Sequence, residues 1–197
     1  MGDTNSKEKI LATALEIFSS KGFEGCGVNE IAEKSGVTKP TLYYFFTNKE
    51  GLYKAVWQEN FDPFLETLVS VSLYEANPSD YYKDVFPCLC RVAKSIFDFA
   101  KSNKTFFLHA MSSFASPDTV STSQINREYY GKICEVLQTM FAKMGNAHGG
   151  IKGRDFQLAV TFLGLVTSYV TCWNLHGDAL DEKSVESLVK QFMHGIF

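Results

Sequence analysis

Apolar residues recur every three or four positions along nearly the whole chain, and no stretch alternates residue by residue as a half-buried strand would. The pattern predicts an all-α protein of about nine helices. The first runs from about Ser6 to Lys21, with Ile10, Ala14, Ile17 and Phe18 as its inward stripe, Asn5 or Ser6 as cap and Gly22 as its stop. The short "VNEIAEKS" turns Ile31 and Ala32 inward and ends at Gly36, where a tight turn needs positive φ. "KPTLYYF" makes a third helix, because Pro40 lies in its first turn.

Thr47 and Glu50 have capping-box spacing for a fourth helix, about Asn48 to Glu75, with a kink expected at Pro63. Pro78 separates it from a fifth, about Ser79 to Ser102, kinked near Pro87. "KTFFLHAMSSF" is a sixth, Pro117 interrupts, and a seventh covers roughly Thr122 to Lys143. "GNAHGGIKG" reads as a loop.

From Leu158 to Leu175 no residue is charged, which meets the bare length criterion for a membrane span. Thr161, Thr167, Ser168, Thr171 and Asn174 around that segment argue instead for a helix buried between neighbours at close approach. Asp181 begins a ninth helix whose apolar positions, ending with Ile196, keep strict helical spacing. Two apolar C-terminal helices suit a symmetric four-helix dimer interface, with Leu158, Phe162, Leu165, Val166 and Trp173 from one and Val185, Leu188, Val189, Phe192 and Met193 from the other.

Charge and cysteine content narrow the functional classes. The 197 residues carry a net charge of −3, and residues 1–60 hold seven lysines against eight acids, which weakens the case for a basic domain. The arginines, Arg91, Arg127 and Arg154, all lie beyond that region. Five scattered cysteines without a CxxC pair fit free thiols in a reducing compartment, and "MGDTNSKEK" has no apolar signal region, so a cytoplasmic protein is expected. Cys88 and Cys90 would point to opposite sides of one helix. The four histidines lack metal-ligand spacing, and no nucleophile with an attendant base stands out; neither metal, cofactor nor enzyme activity is expected.

The two short helices joined by "SGVT" have the form of a helix-turn-helix, which presents its second helix outward. At 100° per residue Leu42 and Phe46 share the inward side, Pro40, Thr41 and Tyr44 point away, Lys39 and Tyr43 flank, and Phe45 falls between. In a major groove Lys39 would donate to guanine acceptors and Pro40 and Thr41 would touch thymine methyls. Tyr43, Tyr44 and Thr47 have hydroxyls within reach of phosphates, and Lys49 adds its charge to the free amides of the fourth helix.

The segment Ile10 to Val56, "ILATALEIFSSKGFEGCGVNEIAEKSGVTKPTLYYFFTNKEGLYKAV", resembles the DNA-binding domain of the TetR/AcrR family of bacterial transcriptional regulators. The matching features are the "A…F…G" of the first helix, "IA…GV" across the turn, "TLYYFF" in the recognition helix and "NKE" after it. The resemblance implies a DNA-binding domain at residues 1–47, with Thr38 joining Lys39, Thr41, Tyr43, Tyr44 and Lys49 among the contacts, and a ligand-binding and dimerisation domain at 48–197. It implies a homodimer on a near-palindromic double-stranded operator, released when a small effector enters the C-terminal helices and the fourth helix swings. Aromatic and apolar positions then suggest Phe61, Leu65, Phe97, Phe107, His109, Met111, Phe114, Tyr130, Leu137, Phe162 and Tyr169 as pocket residues and a hydrophobic effector. Gly27 stands where relatives often have Thr, and Phe45 where Tyr or His is frequent. A helical dimer that binds only ligand or protein is the alternative.

Overall fold

The computed structural model describes residues 2–77, 79–117 and 121–195. Among these, nine α-helices follow one another without a strand: α1 (Gly2–Lys21), α2 (Val28–Ser35), α3 (Lys39–Phe45), α4 (Lys49–Val71), α5 (Tyr81–Ser102), α6 (Lys104–Phe114), α7 (Ser123–Ala147), α8 (Asp155–His176) and α9 (Glu182–His194). Pro78 and Ile196 lie outside the described residues.

Several boundaries differ from the sequence expectation for local reasons. Asn5 and Ser6 lie inside α1, which starts at Gly2; a cap residue marks a helix end only where the preceding chain leaves the helical conformation. The cap of α4 is Asn48 rather than Thr47: Asn48 Oδ1 accepts from the Gly51 amide at 2.7 Å. Both residues are competent caps, and the asparagine at the turn's end prevails. α4 stops at Val71 and α5 starts at Tyr81, so the connection is longer than expected. Half of the glycine-rich "loop" is helical, since α7 runs on to Ala147 and Gly149–Ile151 forms a 3-10 turn. A Cβ at Gly145 would meet Lys152 Cα at 3.1 Å, so this glycine lets the returning chain pass close to the helix.

The described chain forms two compact units, one of Met1–Pro63 with Asn103–Tyr130 and the other of Phe64–Ser102 with Gly131–Phe197. In the first, α1 packs on α2, α3 and α6. Its core gathers Ile10, Ala14 and Phe18 with Ile31, Leu42, Tyr53 and Trp57. The Trp57 indole stacks on Tyr129 with centroids 4.8 Å apart and meets Phe106 edge-on at 5.2 Å. Gly22, at φ 71°, closes α1 by donating its amide to the Phe18 carbonyl.

In the second unit α5 packs on α8 and α9, and Phe141, Phe162 and Phe192 meet in one aromatic cluster. Cys88 is buried and donates to Met140 Sδ, while Cys90 on the other side is half-buried. Asp84 is a buried carboxylate that ties the α4–α5 connection to the residue after α7. It accepts from the Tyr74 hydroxyl at 2.6 Å, the Asn77 amide at 2.6 Å, His148 Nε2 at 2.8 Å and the Val85 amide at 2.6 Å.

Burial alone would raise the Asp84 carboxyl, but those bonds outweigh it and hold it down at about 2. A depressed carboxyl contributes stability that is fully present above the unfolded pKa of about 3.9 and is lost as pH falls toward the folded value. Asp84→Asn is therefore expected to lower the urea midpoint at neutral pH and to flatten its decline between about pH 4 and 2. A variant with the parent's acid profile would show that Asp84 carries none of it.

Candidate nucleic-acid interface and effector region

The α2–turn–α3 segment is held by features visible in its own sequence. Gly36 takes the left-handed conformation at φ 70°, its amide reaching Glu33 O and the Val37 amide returning to Ala32 O. Thr38 caps α3, with Oγ1 accepting from the Thr41 amide at 3.3 Å and sharing a hydrogen bond with Thr41 Oγ1 at 2.8 Å. Gly27 offers α2 no side-chain cap.

The angular sorting of α3 matches its burial. Leu42 and Phe46 are buried, Phe45 is half-buried, and Tyr44 is 75% exposed. Tyr43, Lys39, Pro40 and Thr47 are also exposed. Lys39 Nζ stands 5.8 Å from the Tyr43 ring centroid, and Tyr44 leans edge-on against Phe45 at 5.1 Å. Thr38 is exposed and Thr41 half-buried, and the two are engaged with each other.

Lys49 has another task from the phosphate contact expected. Its ammonium donates to the Phe23 carbonyl at 2.8 Å and the Cys26 carbonyl at 3.0 Å, and lies 4.1 Å from the Phe23 ring centroid. The first turn of α4 is thereby clamped to the α1–α2 turn. Glu24 in that turn also accepts from the Ser121 hydroxyl at 2.8 Å, reaching the segment before α7. Lys21 and Lys34 both pair with Glu30, whose carboxyl is held below the usual range by their hydrogen bonds. Apart from Glu30–Lys34, an i,i+4 pair within α2, none of these partnerships had a sequence signal, since each joins groups brought together by tertiary packing.

The residues expected to line an effector pocket fall in both units. Phe61, Phe107, His109, Met111, Phe114 and Tyr130 belong to the first, where Phe61, Phe107 and His109 are buried and Tyr130 is exposed. Leu65, Phe97, Leu137, Phe162 and Tyr169 belong to the second; Phe97, Leu137 and Phe162 are fully buried there, and Phe97 stacks on Tyr169 at 6.3 Å. Burial holds the His109 imidazole down at about 4, so it is neutral at physiological pH. Its Nε2 and the neighbouring Trp57 Nε1 are buried without a hydrogen-bond partner among the described residues. Tyr53, one turn before Trp57, instead donates to Asn126 Oδ1 at 2.8 Å.

The C-terminal helices correct two expectations. α8 is not sealed between neighbours of its own chain: only 28% of its most apolar window is buried, although it is long and apolar enough to cross a membrane. Phe156, Thr161, Gly164, Ser168, Cys172 and Leu175 face outward. Among the expected interface residues, Phe162, Val166, Val185, Leu188 and Val189 are buried within the chain and unavailable to a partner. Leu158, Leu165, Trp173, Phe192 and Met193 are half-buried. Helical spacing marks every apolar position alike, whereas α5 and α9 here take one side of the stripe. Among the described residues, no group of three or more His, Cys, Asp or Glu is placed to hold a metal ion.

Comparison with known proteins agrees with this geometry. Residues 10–56 match the domain profile described as "Bacterial regulatory proteins, tetR family". The HTH-type transcriptional regulator RutR of Escherichia coli is 45% identical over 62 residues, which is 32% of this chain and 29% of RutR. The match thus spans under a third of that relative's length. Bacillus subtilis FadR, solved with stearoyl-CoA, superposes with a TM-score of 0.74 at 19% identity, covering 96% of this chain and 99% of FadR. AibR, solved with isovaleryl coenzyme A and operator DNA, gives 0.66 at 21% identity over 94% of this chain and 97% of AibR. Residues 10–56 thus carry a domain similar to the DNA-binding domain of the tetR family of bacterial regulatory proteins, and the described chain shares the all-helical fold of FadR and AibR.

Proposed function

We propose that this protein is a ligand-responsive, DNA-binding transcriptional regulator, a cytoplasmic homodimer that represses from a near-palindromic operator and leaves it when an apolar effector binds. Residues 1–47 are its DNA-reading head and 48–197 its effector-binding and dimerising part. The observation that carries this reading is the outward face of α3. Lys39, Pro40, Tyr43 and Tyr44 stand exposed on a short helix whose opposite side, Leu42 and Phe46, is buried. Thr38, Thr41 and Thr47 border that face, and Lys49 acts by holding the head to α4 instead of by touching phosphate.

The uncovered face of α8 supports the dimer. Small residues at Gly164 and Ser168 allow a second copy of the helix to approach, with Leu158, Leu165 and Trp173 at its flanks and Phe192 and Met193 of α9 beside them. A partner chain there, in place of lipid, fits the hydroxyls of Thr161, Ser168 and Thr171. The aromatic cluster around Trp57, with its unpartnered indole nitrogen, supports an effector that brings a hydrogen-bonding group into apolar surroundings. Stearoyl-CoA and isovaleryl coenzyme A, held by FadR and AibR, are the first compounds to try.

Fluorescence anisotropy against the DNA flanking the protein's own gene tests the reading. The expected result is a sequence-preferring complex with two chains per duplex. Tyr44→Ala should weaken it about tenfold, about 1.4 kcal/mol, and leave the melting temperature unchanged. Lys39→Gln should reduce the salt slope by about one unit. A folded dimer with no sequence preference at any salt concentration would instead establish the binder that has lost its operator.

A further inference from the structure

We propose that the cleft where the end of α1 meets α6 is a second small-molecule site, shaped for a neutral, flat aromatic ring bearing an amide or hydroxyl group. The cleft measures about 390 Å³ and lies wholly within the first unit. That volume is within the roughly 300–1,000 Å³ usual for small-molecule sites. Among the residues expected to hold the effector, only His109 lines it. It adjoins the effector region at His109 and shares no other expected effector residue with it.

Its lining has two kinds of surface. Phe18, Phe23 and Tyr53 supply aromatic edges and faces; Phe18 and Phe23 both meet the Tyr53 ring edge-on, with centroids 5.2 and 5.3 Å away. An aromatic ring of a ligand extends such a cluster by the same edge-to-face geometry. Ser113, Ser116 and Thr122 supply hydroxyls that both donate and accept.

Charge decides the ligand's class. Lys21 and Glu24 also line the cleft, but the Lys21 ammonium is bonded to Glu30 Oε1 at 2.7 Å and Glu24 Oε1 already accepts from Ser121. His109 is neutral there and its Nε2 is buried without a partner among the described residues. An anionic ligand would have to take Lys21 from Glu30, a cationic one would gain little from the solvent-exposed Glu24 carboxylate, and a neutral one with hydrogen-bonding groups meets the cleft's hydroxyls.

The two walls give the site a consequence. One is α1 with the turn at residues 22–25, which leads directly into α2; the other is α6. An occupant touching both braces the base of the helix-turn-helix against α6. That consequence rests on the DNA-binding reading, but occupancy itself does not.

Benzamide is the probe, with benzoate and benzylamine as charged molecules on the same ring, titrated against the full chain by saturation-transfer NMR without DNA. Benzamide is expected to bind saturably and the two charged analogues at least about tenfold more weakly. Ser116→Trp and Ser112→Trp each place an indole in the cleft; Ser112 is exposed, so its variant keeps the parent's melting curve. Both should weaken benzamide about tenfold or more. Absence of saturable binding, equal binding of benzoate, or undiminished binding by a folded Ser112→Trp would overturn the proposal. Because no operator enters the assay, these outcomes are separate from a failure of the DNA-binding reading.

Discussion

Phe46→Ala is expected to destabilise the first unit by about 3–5 kcal/mol, the range for truncating a buried aromatic. The reason begins with the length of α3. Seven residues, Lys39–Phe45, form too short a helix to persist alone, because nucleation is unfavourable and few hydrogen bonds follow it. Its position depends on side chains that reach the core, Leu42 with no exposure and Phe46 with 5%. Phe46 also ends the helix, its amide donating to the Leu42 carbonyl at 2.9 Å while its own backbone turns extended. Removing the ring leaves a cavity under the outward face and frees that face to move. A urea melt should show the lost stability, and operator binding should fall with it. A midpoint equal to the parent's would place the ring outside the core.

Lys49→Met is expected to cost about 2 kcal/mol, since hydrogen bonds from a charged donor contribute roughly 1.5–3 kcal/mol each and this ammonium is only half-buried. Methionine keeps an unbranched apolar side chain of similar length and removes the charge, its two donated bonds and its contact with the Phe23 ring. The readouts separate two roles for the residue. A clamp between α4 and the α1–α2 turn loses stability without DNA present and loses operator affinity as a consequence. A phosphate contact would lose affinity with an unchanged melt. The bonds to Phe23 and Cys26 carbonyls favour the first outcome.

The azimuths of α3 could be read in advance because a helix places each side chain by counting 100° per residue, and "TLYYFF" contains both a buried pair and an exposed tyrosine. The left-handed Gly36 and the Thr38 cap were equally local. The hydrogen bonds of Lys49 are not legible in the sequence, for the opposite reason. Its carbonyl acceptors lie 26 and 23 residues earlier in the chain, and a flexible ammonium on the first turn of a helix can face water or protein with the same sequence around it. The Asp84–His148 bond, 64 residues apart, belongs to the same class.

α8 shows the limit of hydropathy. Its uncharged run from Leu158 to Leu175 demanded cover, and that much followed from composition. Which cover did not follow. α5 and α9 shield Phe162, Val166 and Val170 on one side and leave Gly164, Ser168 and Cys172 on the other, so a stripe read as buried all round is split between the chain's own core and an open face.

Sequence alone determined the all-helical class, the succession of nine helices, the helix-turn-helix at its start and the two-sided character of α3, because backbone period, caps and glycine conformations act within a few residues. Tertiary packing decided where Lys49 and Glu24 spend their charge, which apolar positions of α8 and α9 are already covered, and that a cleft opens between α1 and α6. Those outcomes depend on which surfaces meet across the fold, and no periodicity along the chain records that.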